Sequence, residues 1–361
     1  MRYRAMKELG YKDAPVKVLP TETDAKKLRA YIQKDNIAFG QNDWDLLGNE
    51  WELEELTDFG LECDSLGTEE EEEKNCQRAE DVQDDDFEED EAKKDETTTR
   101  KGDLFLLGTH RLMCGDSTKE DDVLKLCKGH EVDLFVTDPP YNVSYTEKNI
   151  ILNKFDKGRR KTLGIANDNL NDDDFRIFLT SVFRNAYSVM KKGAAFYIWH
   201  AMMKTHIFIP IANEIGLRVK QVLIWVKNMF VLGMQDYQWK HEPCLYGWKE
   251  GTHYFIDNRS LTTIIEEKKP SKSDLHPTMK PIPLIARNIE NSSREGEIVL
   301  DLFGGSGTTM MAAEQVNRKC FMMEYSPIYI DVIVKRWEAL TGKKAVYIGN
   351  IEDGAKWANE E

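Results

Sequence analysis

Apolar residues along this chain fall into two patterns, short continuous runs and longer stretches in which they recur every three or four positions. The short runs are DLFVTD (133–138), GAAFYIWH (193–200), EIVLDLF (297–303) and KCFMME (319–324). Unbroken apolar runs of this length mark strands buried on both faces. The helical period shows in DDFRIFLTSVFRNAYSVMKK (173–192), PLIARNIENS (283–292) and TTMMAAEQV (308–316). Strands separated by helices from about residue 103 onward predict an α/β domain with a parallel sheet. VKQVLIWVK and EPCLYGWK predict two further strands, an antiparallel pair at one edge. Near the start, MKELGY and APVKVL predict a helix, a turn and a strand. Residues 22–39 predict another helix, and WDLLGNEWELEELTDFG one or two more.

Charge divides the chain more sharply than hydropathy does. The 361 residues carry a formal net charge of -15, with 41% hydrophobic residues to fill a core. Glu62–Glu96 holds 18 acids and 4 bases, a net of -14, and the first 61 residues hold 12 acids and 9 bases. Residues 97–361 are therefore left at about +2, so the acidity is no obstacle to a nucleic-acid substrate. Residues 64–102 repel themselves and are poor in apolar side chains, which predicts a disordered linker. A solvated spacer is the plain role for it, and competition with DNA for a basic groove is the alternative. The expected domains are a module at 1–63, the linker at 64–102 and the main domain at 103–350. No apolar run reaches the length of a membrane span, and the start lacks a signal peptide's apolar stretch. The six cysteines show neither a CxxC pair nor metal-ligand spacing, so no metal is expected and reduced thiols in a cytoplasmic protein are.

Asp138-Pro139-Pro140-Tyr141 stands at the carboxyl end of a predicted strand, where open α/β sheets bind ligands. The residue types suit an exocyclic base amine, whose lone pair is delocalised into the ring and is a poor nucleophile. A carboxylate (Asp138) and a rigidly held carbonyl (Pro139) each accept one amine hydrogen and turn the lone pair out of the ring plane. Tyr141 offers a face on which an extruded base stacks, worth about 1–3 kcal/mol. Alone, the four residues also fit a Pro-rich turn that closes a strand. A second motif, Asp301-Leu302-Phe303-Gly304-Gly305-Ser306-Gly307-Thr308-Thr309, joins a strand to a helix. Its glycines permit a tight turn and close cofactor approach. Glu324, 23 residues after Asp301, stands where a ribose diol is gripped. A third, His276-Pro277-Thr278-Met279-Lys280-Pro281, opens the helix PLIARNIENS, and Thr278, Lys280 and the helix start suit a carboxylate.

Together these motifs resemble the amino-methylating DNA methyltransferases, and their order resembles the circularly permuted beta class, with the Asp-Pro-Pro-Tyr motif ahead of the glycine loop. The resemblance spans about 103–345. It implies a permuted Rossmann-like sheet and S-adenosylmethionine as cofactor, held by Asp116, His276, Thr278, Lys280, Asp301, Phe303, Gly304, Gly305, Gly307, Thr308 and Glu324. It implies double-stranded DNA as substrate, with Asp138, Pro139, Pro140 and Tyr141 catalytic. Because an Asp heads the motif, adenine N6 is expected ahead of cytosine N4. The first sixty residues resemble the tail of ParB-like domains and read as a truncated, mostly helical module for DNA or protein contacts. A non-catalytic DNA-binding adaptor built on that module is the rival from another class. Pro243-Cys244 imitates the nucleophilic pair of cytosine-C5 enzymes, yet it sits in an apolar strand and is expected to be a structural thiol. The basic run with Lys154, Lys157, Arg159, Arg160 and Lys161 follows the catalytic motif and is expected at DNA phosphates, an ordinary solvated loop being the alternative. The resemblance leaves room for a homodimer and for a cognate restriction endonuclease.

Overall fold

A computed structural model describes residues 81–85, 87, 97–143, 168–231, 236–256, 258, 260–267 and 279–357. The chain divides into two compact units, Met1–Thr68 and Glu69–Glu361. All described residues belong to the second, so the module expected at 1–63 lies outside them.

Among the described residues, ten strands form one sheet. In chain order they are β1 (Asp103–Leu107), β2 (His110–Cys114), β3 (Val132–Thr137), β4 (Met190–Trp199), β5 (Arg218–Val231), β6 (Trp239–Trp248), β7 (Ile264–Glu266), β8 (Ile298–Asp301), β9 (Lys319–Glu324) and β10 (Val346–Asn350). Their spatial order is β10-β1-β2-β9-β8-β3-β4-β6-β5-β7. The five central strands, β2 to β4, run parallel. β6 pairs antiparallel with β4 and with β5, which delivers the antiparallel pair the sequence predicts. β7 rather than that pair forms the edge.

The apolar runs are strands for the reason expected, because the sheet is covered on both faces. One face packs α1 (Glu120–Cys127), α2 (Asp172–Val189) and α3 (Thr205–Ile215) through Leu126, Phe175, Phe183 and Phe208. The other packs α4 (Ile282–Ser292), α5 (Thr308–Gln315) and α6 (Pro327–Thr341) through Ile285, Met311, Ile333 and Trp337. α2 starts where Asn171 accepts the Asp174 N–H at 2.9 Å, and three aspartates fill its first turn, complementing the helix dipole.

Chain direction reverses at the centre of the sheet. From β8 the chain passes through α5 to β9 on one side, and from β3 it passes through α2 to β4 on the other. The carboxyl ends of β3 and β8 thus flank a topological switch point, the usual crevice for a ligand in such sheets. Thr137 at the end of β3 donates to Asp301 at the end of β8 at 3.1 Å.

Part of the expected linker belongs to this domain. Val82 is 6% exposed in the core under α4 to α6, and Asp84 and Asp85 are paired with residues of the domain. Thr99 donates to Asp331 of α6, and Gly102 donates to the Cys114 carbonyl at 2.7 Å. Composition mistook these residues for spacer because the partners of Asp84, Thr99 and Asp85, among them a buried arginine, lie 198 to 251 residues away. The fold also runs past residue 350 to Trp357, which is buried and donates to the Lys125 carbonyl at 2.8 Å.

Candidate active site

Asp138-Pro139-Pro140-Tyr141 leaves the end of β3 at the switch point, with Pro139 buried and the other three half-buried. Asn142 follows in the left-handed region (φ 53) and exchanges hydrogen bonds with Leu170 of 2.9 and 2.7 Å. Val143 N donates to Asp168 at 3.1 Å, so the chain on either side of 144–167 is pinned together beside the motif.

The Asp138 carboxylate lies in a compact charged cluster. Lys280 donates to its Oδ2, and the Tyr141 hydroxyl contacts its Oδ1. Lys280 Nζ also lies 2.9 Å from Glu242 Oε1 and 3.0 Å from the Tyr141 oxygen. The Tyr141 hydroxyl reaches Glu242 at 2.6 Å, and its single hydrogen serves one carboxylate at a time. Lys227 closes the cluster on Glu242 Oε2 at 2.6 Å. Two carboxylates thus face two ammonium groups.

Burial opposes ionisation of Glu242, but Lys280 and Lys227 overcome it and hold its carboxyl well below the usual range. Asp138 moves upward, because burial and the nearby Glu242 charge outweigh the pull of Lys280. Lys280 resists deprotonation despite its burial, since both carboxylates favour its charge. The Asp138 side chain is still 34% exposed while Lys280 is 5%, so the carboxylate is the member of the pair that faces outward.

Lys280 therefore stands elsewhere than its motif suggests. It was expected at the cofactor's carboxylate, yet its ammonium is committed to Asp138 and Glu242. Asp138 at the end of β3 and Glu242 in β6, with β4 between the two strands, together hold the buried ammonium. His276 and Thr278 lie outside the described residues, as do Lys154, Lys157, Arg159, Arg160 and Lys161. Glu242 and Lys227 were missed, although a lone glutamate entering the apolar strand EPCLYGW was a signal. The neighbouring Cys244 is buried, and burial raises its thiol far above the ordinary value, which leaves it without thiolate character.

Across the switch point, Gly304-Gly305-Ser306-Gly307 forms the turn from β8 into α5. Gly305 has φ +51 with open space where a Cβ would stand, and Gly307 has φ +87 with Ile333 3.1 Å from that position. Glu324 ends β9 and accepts the Gly305 N–H and the Ser326 N–H, both at 2.8 Å. Burial raises its pKa against those two bonds. Asp116 follows β2, whose Cys114 is in register with Glu324, so the two acids flank neighbouring strand ends. Its Oδ1 accepts from Thr118 N and Oγ1 at 3.0 and 2.7 Å. Asp301 faces inward, where it accepts from Thr137 and from Phe303 N at 3.0 Å. Burial pushes its pKa up to about 6, against hydrogen bonds led by that of Thr309. Phe303 packs on Phe178 with ring centroids 5.8 Å apart, and Thr308 accepts from Arg336. The open glycine cradle with acids on its far side fits an adenosine with a ribose diol.

A family model for DNA methylases acting at N6 or N4 matches residues 132–335, more than half of the chain. The chain belongs to the N6/N4 DNA methylase family. It is 24% identical over 252 residues to type II methyltransferase M.HpaI of Haemophilus parainfluenzae, covering 63% of this chain and 74% of that protein. It is 24% identical over 274 residues to DNA adenine methyltransferase YhdJ of Escherichia coli, covering 66% and 86%. The crystal structure of an M1.HpyAVI–SAM complex is 22% identical with a TM-score of 0.46, over 60% of this chain and 95% of that one. By family this chain is thus an S-adenosylmethionine-dependent DNA amino-methyltransferase, and its own sheet order and motif order give a permuted Rossmann-like sheet. Among the described residues, no helix is long and apolar enough to cross a membrane.

Proposed function

We propose that this enzyme methylates N6 of adenine in double-stranded DNA, with Asp138 and the Pro139 carbonyl orienting an extruded base. The observation that carries this reading is the Asp138 carboxylate, partly open at the switch point and backed by Lys280, Tyr141 and Glu242. A carboxylate has about four acceptor sites, so one amine hydrogen can be taken while the protein contacts persist. The Pro139 carbonyl takes the second, which fixes the lone pair out of the ring plane. The proton lost from nitrogen after transfer passes to Asp138, whose raised proton affinity suits it to receive one.

On this reading Gly304, Gly305 and Gly307 cradle S-adenosylmethionine, Glu324 grips its ribose and Asp116 lies near its adenine, while Phe303 and Thr308 shape the turn. S-adenosylmethionine supplies an electrophilic sulfonium methyl. Because that donor is already reactive, the protein contributes positioning and fixed dipoles. The name of YhdJ supports adenine as the target, as does the Asp that heads the motif.

Expression of the wild type and Asp138→Ala in a methylation-free host, followed by nucleoside mass spectrometry, tests the assignment. N6-methyladenine is expected from the wild type and none from Asp138→Ala, with S-adenosylmethionine binding retained in the variant. N4-methylcytosine in its place would overturn adenine, and normal turnover by Asp138→Ala would overturn the catalytic role.

A further inference from the structure

The stretch of acidic sequence at Val82–Asp85 makes four separate connections to the cofactor side of the domain. Val82 joins the buried core cluster that also holds Ile282 and Ile333. Gln83 exchanges hydrogen bonds with the side chain of Gln315 at the end of α5, at 3.2 and 3.1 Å. Asp84 accepts the Ile282 N–H at 2.7 Å. Asp85 takes a bidentate bond from Arg336 of α6, with Nε at 2.6 Å and a terminal nitrogen at 3.0 Å.

Each partner matters to a different cofactor-side segment. α4 starts directly after Lys280-Pro281 and has no side-chain cap of its own, so Asp84 supplies the cap from elsewhere. Arg336 is 2% exposed. With two nitrogens fixed by Asp85, its remaining one donates to the Ser306 carbonyl at 3.0 Å and to Ser306 Oγ and Thr308 Oγ1 at 3.3 Å. The planar guanidinium converts the position of Asp85 into a fixed position for the turn that leads into α5.

We propose that Val82–Asp85 is a clasp that positions the cofactor loop, Asp85 acting through Arg336 on Ser306–Thr308 and Asp84 setting the start of α4. Asp85 is a positioning residue. The proposal rests on the reading of Gly304–Thr308 as the S-adenosylmethionine turn. A stretch of sequence with the composition of a linker is on this account part of the cofactor site.

The test uses full-length Asp85→Asn, Asp85→Glu and Asp84→Ala, with Glu324→Gln as a control, all assayed well below their melting temperatures. Asp85→Asn is expected to raise both the KM and the calorimetric Kd for S-adenosylmethionine about tenfold. Its kcat at saturating cofactor and its KM for DNA should stay within about twofold of wild type, and Asp85→Glu should recover most of the loss. Unchanged cofactor KM in Asp85→Asn overturns the clasp. So do parallel losses in kcat and both KM values, which indicate a merely structural role. If Asp85→Asn does not fold, Asp84→Ala decides, because it removes the Ile282 cap and keeps the buried ion pair. A rise of about threefold in cofactor KM supports the clasp and no rise overturns it. Should Glu324→Gln leave cofactor affinity unchanged, the turn itself is misassigned and the clasp falls with it. A loss in Glu324→Gln without one in Asp85→Asn removes the clasp alone.

Discussion

Glu242 and Lys280 act on Asp138 with opposite signs, and that opposition can be measured. In its proposed role Asp138 must be ionised to accept the amine hydrogens, so activity should rise with pH through its pKa and define the acid limb of the profile. Burial and the Glu242 charge raise that pKa, and Lys280 lowers it. Replacing Lys280 with Met removes the lowering charge, so the acid limb of kcat/KM should move to higher pH. Replacing Glu242 with Gln removes a raising charge, so the limb should move to lower pH. Activity at neutral pH should fall by about 10–100-fold for Lys280→Met, which takes from Asp138 the ammonium that pairs with it and leaves Lys227 paired to Glu242. Shifts in the same direction, or none, would remove the cluster from the chemistry. These residues also mark the limit of what the sequence discloses. Asp138 was legible because it ends an apolar run with two prolines behind it. The destination of Lys280 was not, because it depends on Glu242, a strand partner whose register no local pattern sets.

Among the elements, the buried runs that became β3, β4, β8 and β9 and the amphipathic stretches that became α2, α4 and α5 were legible from period alone. The hairpin β1–β2 was missed despite the Gly108-Thr109 turn that joins it, since five-residue strands give little pattern. What ties such short elements down is polar. His110 at the start of β2 accepts the Cys320 N–H of β9 through Nδ1 at 2.9 Å, which leaves Nε2 to donate to Glu314 of α5 at 2.6 Å. Glu314 also accepts from Trp337 of α6 at 3.0 Å, so one carboxylate braces a strand and two helices. The His110 hydrogen bond leads the causes that lower its pKa from 4.5 to about 2. A depressed carboxylate pKa contributes stability that is present above the unfolded value and lost as pH falls through the folded one. Glu314→Ala should therefore cost about 1–3 kcal/mol at pH 7. In urea titrations, the gap from wild type should narrow as pH falls from about 4.5 to about 2. A gap that stays constant across that window would show that the brace is not ionic.

At the scale of the whole molecule, the chain brings the two halves of the reaction together from opposite ends of the domain. In the proposed reading the base side is built by β3, β4 and β6, and the cofactor side by α4 to α6 with β8 and β9. They meet where Thr137 touches Asp301. The motif order made this permuted arrangement legible, whereas the clasp from the acidic segment was hidden by its composition. Substitutions on one side should therefore spare the other. Gly307 is the sharpest probe on the cofactor side, because it caps α5 with φ +87 and a Cβ there stands 3.1 Å from Ile333. Gly307→Ala forces a left-handed residue with a side chain, at a cost of about 1–2 kcal/mol, and displaces the turn against α6. Its expected signature is weakened S-adenosylmethionine binding by calorimetry with unchanged affinity for duplex DNA in a gel shift, the reverse of a base-side variant such as Asp138→Ala. Equal losses of cofactor and DNA affinity in Gly307→Ala would mean that the switch point is one coupled unit and not two adjoining sites.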